Sequence, residues 1–148
     1  MDAFDFFHDV ATVNYKVLKK SPDLRLLWNA VVSMNNVAEY LALHRLGYPA
    51  SVSQSELRDA AEQIRNGHPS LDDLNFCAIT FKHVRRIPRS RPSGLTATST
   101  SLSAGDKTTW IIEKDGVLRA FEDVLDRAFE DLSAFPELVA PKNRGGGD

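Results

Sequence analysis

The sequence predicts a mainly α-helical protein, a bundle of four or five helices with a small β-hairpin between the fourth and the last helix. Apolar residues recur at spacings of three and four along most of the chain, as they do on the buried side of a helix. A stretch near residue 110 alternates apolar and polar residues instead, which is typical of a strand. The 148 residues are enough for one hydrophobic core, and we expect one domain over residues 1–135.

The first two predicted helices form the centre of this bundle. Residues 2–20 carry two apolar rows at helical spacing: Phe4, Phe7, Ala11, Tyr15 and Leu18, and Phe6, Val10, Val13 and Val17. Ser21-Pro22 predicts the start of the second helix, with Ser21 as its cap. From Leu24 to Leu43 the polar residues are confined to a narrow stripe of Arg25, Asn29, Ser33 and Asn36. We therefore expect this helix to be the internal pillar of the bundle, ending before Gly47.

Two shorter helices are predicted next. Ser53 and Glu56 have the spacing of a capping box, so a third helix should begin at Ser53 and end near Gly67. Ser70 and Asp73 repeat that spacing and predict the cap of a fourth helix. This helix should end at Arg86, because Pro88 cannot continue it.

The chain between the fourth and last helices predicts a hairpin at about residues 94–114. Leu95 to Leu102 is rich in Thr, and Thr108 to Glu113 alternates with period two. Since an isolated hairpin is marginally stable, it should rest on the bundle through Trp110 or Ile111. The alternative is an irregular Ser/Thr loop.

The last helix follows a tight turn at Asp115-Gly116, with an apolar row that starts at Leu118. Residues 136–148 are rich in Pro, Gly and charged residues. They predict a flexible C-terminal tail.

The net charge of −2 conceals an uneven distribution. Leu74 to Gly105 contains no acidic residue but five basic ones: Lys82, Arg85, Arg86, Arg89 and Arg91. The rest of the chain has 13 basic and 20 acidic residues, a charge of −7. The basic residues either form a surface that attracts phosphate or an acidic protein, or stay solvated and pair with the acidic last helix.

The sequence argues against several classes of site. Cys77 is the only cysteine, which excludes an intrachain disulfide and indicates a reducing compartment; it lies on an apolar row and should pack in the core. Glu122, Asp126 and Glu130 share one helix face, but no histidine or facing carboxylate completes a metal site. We therefore expect a solvated face, no metal and no cofactor.

A membrane location is not expected either. The first residues are acidic where a signal peptide would be basic. The longest apolar stretch, Leu24 to Leu43, is interrupted by polar residues, which a bilayer would not accept. These features predict a cytoplasmic protein.

The histidines give no catalytic assignment. His8, His44 and His68 are predicted at the surface. His83 lies beside Lys82 and Arg85, which would favour its neutral form, a potential base. No nucleophile elbow, phosphate-binding glycine loop or zinc-protease motif is present. The candidate residues for binding a partner or RNA are Lys82, His83, Arg85, Arg86, Arg89 and Arg91.

The order of these segments resembles the HEPN-like helical bundles, in particular uncharacterised prokaryotic members. The stretch from Asn75 to Lys82-His83, which closes a helix before a hairpin, also resembles theirs. The resemblance covers about residues 1–135 and implies a bundle that can form a homodimer through its helices. Catalytic members carry Arg, four to six residues, then His. Here that Arg would stand at 1–3, 37–39, 61–63 or 76–78, and none of these is Arg, so ribonuclease activity is not implied.

These observations predict a non-enzymatic interaction or regulatory module that presents Lys82 to Arg91 to an acidic partner. A defence, toxin–antitoxin or mobile-element system would be a suitable setting. One alternative is an RNA-binding or RNA-cleaving protein in which His83 acts with Arg85 or Arg86. Another is a structural or assembly subunit.

Overall fold

The computed structural model describes residues 1–21, 23–86, 95–99 and 108–139, and within these it leaves out the side chains of 81–86, 95–99, 108 and 109. The α-helices are α1 (Ala3–Phe6), α2 (Thr12–Lys20), α3 (Leu24–Arg45), α4 (Gln54–Asn66), α5 (Pro69–Arg86) and α6 (Phe121–Ser133). The strands are β1 (Leu95–Ser99), β2 (Thr108–Lys114) and β3 (Val117–Ala120). The predicted mainly helical fold, with a small antiparallel sheet between the last two helices, is confirmed.

The N-terminal helix is continuous from α1 to α2, joined by a π-helical turn at Phe7–Ala11. The Thr12 N–H donates to the Phe7 carbonyl, five residues back, as a π-helix requires. One predicted apolar row is buried in part, through Phe7, Ala11 and Leu18. The helix predicted over residues 2–20 is therefore present, with one turn wider than a regular α-helix.

The pillar of the bundle is α3, as predicted, since it contacts α1, α2, α4, α5 and α6. Its buried residues cover most of its circumference: Leu27, Ala30, Val31, Ser33, Met34, Val37, Ala38, Leu41 and Ala42. Ser33, assigned to the polar stripe, is buried and donates its hydroxyl to the Asn29 carbonyl at 2.7 Å.

The cap of α3 differs from the prediction. The Asp23 carboxylate accepts from the Leu26 N–H at 2.8 Å, so Asp23 holds the capping position assigned to Ser21. Ser21 is too far from α3 in the chain to cap it, because a capping side chain reaches only the amides two or three residues ahead. Gly47, with φ of 80°, follows the end of the helix as expected.

The predicted cap of α4 is confirmed, whereas the predicted cap of α5 is wrong. The Ser53 hydroxyl accepts from the Glu56 N–H at 3.1 Å, which confirms the capping box. By contrast, α5 begins two residues earlier than a cap at Ser70 would allow, at Pro69, because Pro suits a first helical position. Ser70 therefore lies inside the helix, where its hydroxyl donates to Asp131 on α6 at 2.5 Å instead of capping α5.

The sheet has the order β1-β2-β3, with both pairs antiparallel. The β1–β2 pair is the predicted hairpin, while β3 was not predicted and contains Leu118, which we had assigned to the last helix. Asp115 and Gly116 have φ values of 53° and 79°, the geometry of a two-residue turn that returns the chain onto β2. The sheet rests on the bundle through Ile112, which is buried, and through Trp110.

The ordered chain continues past the predicted domain boundary at residue 135. Pro136–Leu138 form a 3-10 helix in which Leu138 is buried. His8 Nε2 donates to the Leu138 carbonyl at 2.8 Å, and Arg45 pairs with Glu137 at 2.8 Å. These contacts fasten the 3-10 helix to the bundle. Residues 140–148 of the predicted tail lie outside the described residues.

Two leucines of α3 offer a matched test of the pillar, since Leu41 is fully buried and Leu24 is 45% exposed. We expect Leu41→Ala to lower the free energy of unfolding in urea by about 2–5 kcal/mol, because it leaves a cavity between packed helices. Leu24→Ala should change it by less than about 0.5 kcal/mol. Equal effects would contradict the central position of α3.

Candidate functional site

The predicted binding segment begins at the C-terminal end of α5. The backbone of Lys82, His83, Arg85 and Arg86 forms the last turns of this helix. The side chains of these four residues lie outside the described part of the structure, as do Arg89 and Arg91 entirely. In an α-helix, positions 82, 85 and 86 fall on one side, because residues three and four apart are neighbours.

A polar cluster between three helices anchors α5 upstream of this segment. Asn35 on α3 donates its amide to the Asn75 side-chain oxygen on α5 at 3.2 Å. Arg65 on α4 donates from Nη2 to the Asn35 carbonyl at 3.3 Å. Asn75 opens the stretch on which the HEPN-like resemblance was based. The cluster therefore fixes α5 two turns before Lys82.

Arg65 is an unusual member of this cluster, because it is only 6% exposed. Within the described ranges, its Nε has no hydrogen-bond partner, and neither has the Asn35 side-chain oxygen. Burial lowers the pKa of Arg65, and the attraction of Glu39, Glu62 and Asp72 offsets this only in part. A buried cation with an unused donor costs stability. The sequence contained a signal that we missed, since Arg65 follows buried Ala61 by one turn.

The acidic face of α6 contacts the N-terminal helix. Asp126 accepts a hydrogen bond from the Tyr15 hydroxyl at 2.5 Å and forms a salt bridge with Lys19 at 2.7 Å. Lys19 also lies 3.7 Å from Glu122. Burial and the hydrogen bond to Asp126 raise the pKa of Tyr15, because both disfavour the phenolate. The acidic face of α6, which was predicted to be solvated, is therefore partly in contact with the N-terminal helix.

A second charged cluster joins α5 to the sheet. Lys114 lies 2.8 Å from Asp73 and 2.9 Å from Asp72, and Arg119 also pairs with Asp73. Burial opposes the charge of Lys114, but hydrogen bonds to Asp73 and Asp72 outweigh it and raise the pKa of Lys114. In the part of the chain that the structure describes, no three His, Cys, Asp or Glu side chains are placed to share a metal ion.

The three histidines predicted at the surface have different surroundings. His44 is exposed, as expected. His8 and His68 are half-buried, and their ring centroids lie 4.2 Å from Phe4 and 4.8 Å from Phe135. Both rings therefore contribute to packing, which a surface assignment did not foresee.

Cys77 is buried, as its apolar row predicted. Burial raises the pKa of its thiol to about 12, and the nearby charge of Asp73 acts in the same direction. A thiol of that kind has almost no thiolate at neutral pH, so it is a poor nucleophile.

Comparison of the chain with protein-family models, curated proteins and solved structures found no match. Of the helices in the described ranges, none is both long enough and apolar enough to cross a lipid bilayer. The resemblance to HEPN-like bundles stays a prediction, and functional inference rests on the chain's own residues.

Replacing Arg65 tests whether the polar cluster costs stability. We expect Arg65→Met to raise the free energy of unfolding by about 1 kcal/mol, because an apolar side chain of similar length removes an unsatisfied buried charge. Arg58→Met, on the exposed side of the same helix, should change it by less than about 0.5 kcal/mol. Urea unfolding measures both. A loss of stability in Arg65→Met alone would show that the cluster is net stabilising.

Thiol labelling tests the state of Cys77. At pH 8 we expect Ellman's reagent to react with the native chain roughly a thousandfold more slowly than with the chain in denaturant, because the raised pKa depletes the thiolate. Burial should slow the native reaction further. Rapid labelling under native conditions would place Cys77 at an accessible, activated position instead.

Proposed function

We propose that this chain is a non-enzymatic, HEPN-like interaction or regulatory module that presents the segment Lys82 to Arg91 to an acidic partner. The observation that supports this proposal most strongly is the charge distribution. Five basic residues and no acidic residue lie between Leu74 and Gly105, whereas the rest of the chain has a charge of −7. Such a segment attracts an acidic molecule over a long range at low ionic strength. A defence, toxin–antitoxin or mobile-element system remains the proposed setting.

Among the described residues, several acidic side chains of α6 have partners on other helices, which supports the binding of the basic segment to a separate partner. The described contacts of Glu122 and Asp126 are made by Tyr15 and Lys19. Asp131 accepts from Ser70. Donors from the N-terminal helix and from the start of α5 thus serve part of the acidic face.

The anchoring of α5 supports the same proposal. The Asn35–Asn75 hydrogen bond holds the middle of the helix, and Asp73 ties its first turns to Lys114 and Arg119. A binding segment that extends from a fixed helix loses less conformational entropy on association than a free one. One turn before His83, Ile79 is 41% exposed, and an apolar residue beside cations is common at interfaces.

Charge reversal tests the proposal, with fluorescein-labelled poly-L-glutamate as the acidic probe. We expect fluorescence anisotropy to show binding that weakens as salt rises. The triple variant K82E/R85E/R86E should weaken binding at least about tenfold, because it replaces attraction by repulsion.

The matched control is K20E/R25E/R58E, which makes the same charge change at exposed positions of the described surface. It should change the affinity by less than about threefold, reflecting net charge alone. Equal losses in the two triple variants would remove the Lys82 to Arg86 surface from the proposal.

An unstructured RNA oligonucleotide in the same assay addresses the alternative function. If RNA binds more tightly than poly-L-glutamate and is cleaved by the parent chain but not by His83→Ala, the chain is a ribonuclease and the proposal is wrong. A large obligate oligomer in light scattering would favour the assembly-subunit alternative.

A further inference from the structure

A groove of about 340 Å3 runs between the N-terminal helix and the C-terminal 3-10 helix. Its apolar lining comes from Phe7, Phe129, Leu138 and Val139. Phe129 is stacked between Phe7 and Tyr15, with ring centroids 5.7 Å and 4.5 Å apart. The groove therefore has a rigid aromatic wall, and its volume lies at the lower end of the range for small-molecule sites.

The π-helical turn at Phe7–Ala11 forms one side of this groove. A π-turn is less favourable than a regular α-helical turn and is often retained at functional sites. Thr12, directly after the turn, also lines the groove. This residue is nine-tenths buried, and its hydroxyl has no hydrogen-bond partner among the residues that the structure describes. The wider helical turn and the unpaired hydroxyl lie at the same place. Packing of the helix against the bundle explains neither of them.

The charge of the groove is of one sign. Lys16 lines it and is exposed, and none of the described residues that line the groove is Asp or Glu. The neighbouring Lys19 is engaged by Asp126 and Glu122, whereas Lys16 has no ion pair among the described residues. The groove therefore has one cation that could bind an anion, next to a wall of aromatic and aliphatic side chains.

From this geometry we propose that the groove binds a small amphipathic monocarboxylate. Its carboxylate would lie at Lys16. Its alkyl or aryl body would lie against Phe129 and Val139. The carboxylate provides a negatively charged partner for Lys16. Binding of the apolar body removes apolar surface from water. This site is separate from the Lys82 to Arg91 segment and does not depend on the function proposed for it.

Octanoate is the probe for this site, titrated into the full chain and followed by 1H–15N NMR. We expect saturable binding, with shift changes concentrated at residues 7–16 and 129–139. Lys16→Glu should weaken binding at least about tenfold. Lys20→Glu makes the same charge change on the same helix outside the groove lining, and should weaken it less than about twofold. Octanol should bind more weakly than octanoate, since it lacks the charge.

A second variant tests the position of the apolar body without changing charge. Ser133 is exposed and lines the groove, so Ser133→Phe should fill the groove and abolish octanoate binding. The K82E/R85E/R86E variant should bind octanoate as the parent does, which separates this test from that of the proposed function. Non-saturable shifts, shifts centred elsewhere, or equal effects of Lys16→Glu and Lys20→Glu would overturn the proposal.

Discussion

Burial of α3 on most of its circumference is the constraint on which the remaining structure depends. Leu27, Met34 and Leu41 are almost completely removed from water, and five other helical segments pack around them. The hydrophobic effect is proportional to the apolar area removed from water, so a helix that is apolar over most of its circumference has to be enclosed on those sides. Polar groups taken inside with it need partners, which Ser33 finds in Asn29 and Asn14.

Charged contacts between distant residues orient the outer elements around this pillar. Asp73 ties α5 to the sheet, Asp126 ties α6 to the N-terminal helix, and Arg45 holds the 3-10 helix. Exposed pairs of this kind contribute little free energy individually, but they select one arrangement among several of similar packing. They also engage acidic side chains from within the bundle, while the basic charge of the proposed function belongs to the segment Lys82 to Arg91.

Two places break local rules of stability, and both lie beside a proposed functional region. Arg65 is buried without a full set of hydrogen bonds, in the cluster that anchors α5. The π-turn at Phe7–Ala11 widens the N-terminal helix beside the groove at Lys16. Natural proteins tend to keep such costs where a site requires them. The π-turn leaves the hydrophobic pattern of its helix unchanged, whereas Arg65 occupies a position on the apolar face of α4, one turn after Ala61.

Local patterns were enough to predict the helices, the buried α3, the Ser53 cap and the β1–β2 hairpin, because periodicity and capping depend on residues a few positions apart. The third strand was missed because Leu118 and Phe121 also fit a helical row, and the return of the chain at Gly116 decides between the two. Contacts such as Asp73 with Arg119, or His8 with Leu138, join residues far apart in the chain. These groups come into contact only when the helices pack around α3. Residue spacing in a sequence does not indicate which distant charged groups and carbonyls will be in contact.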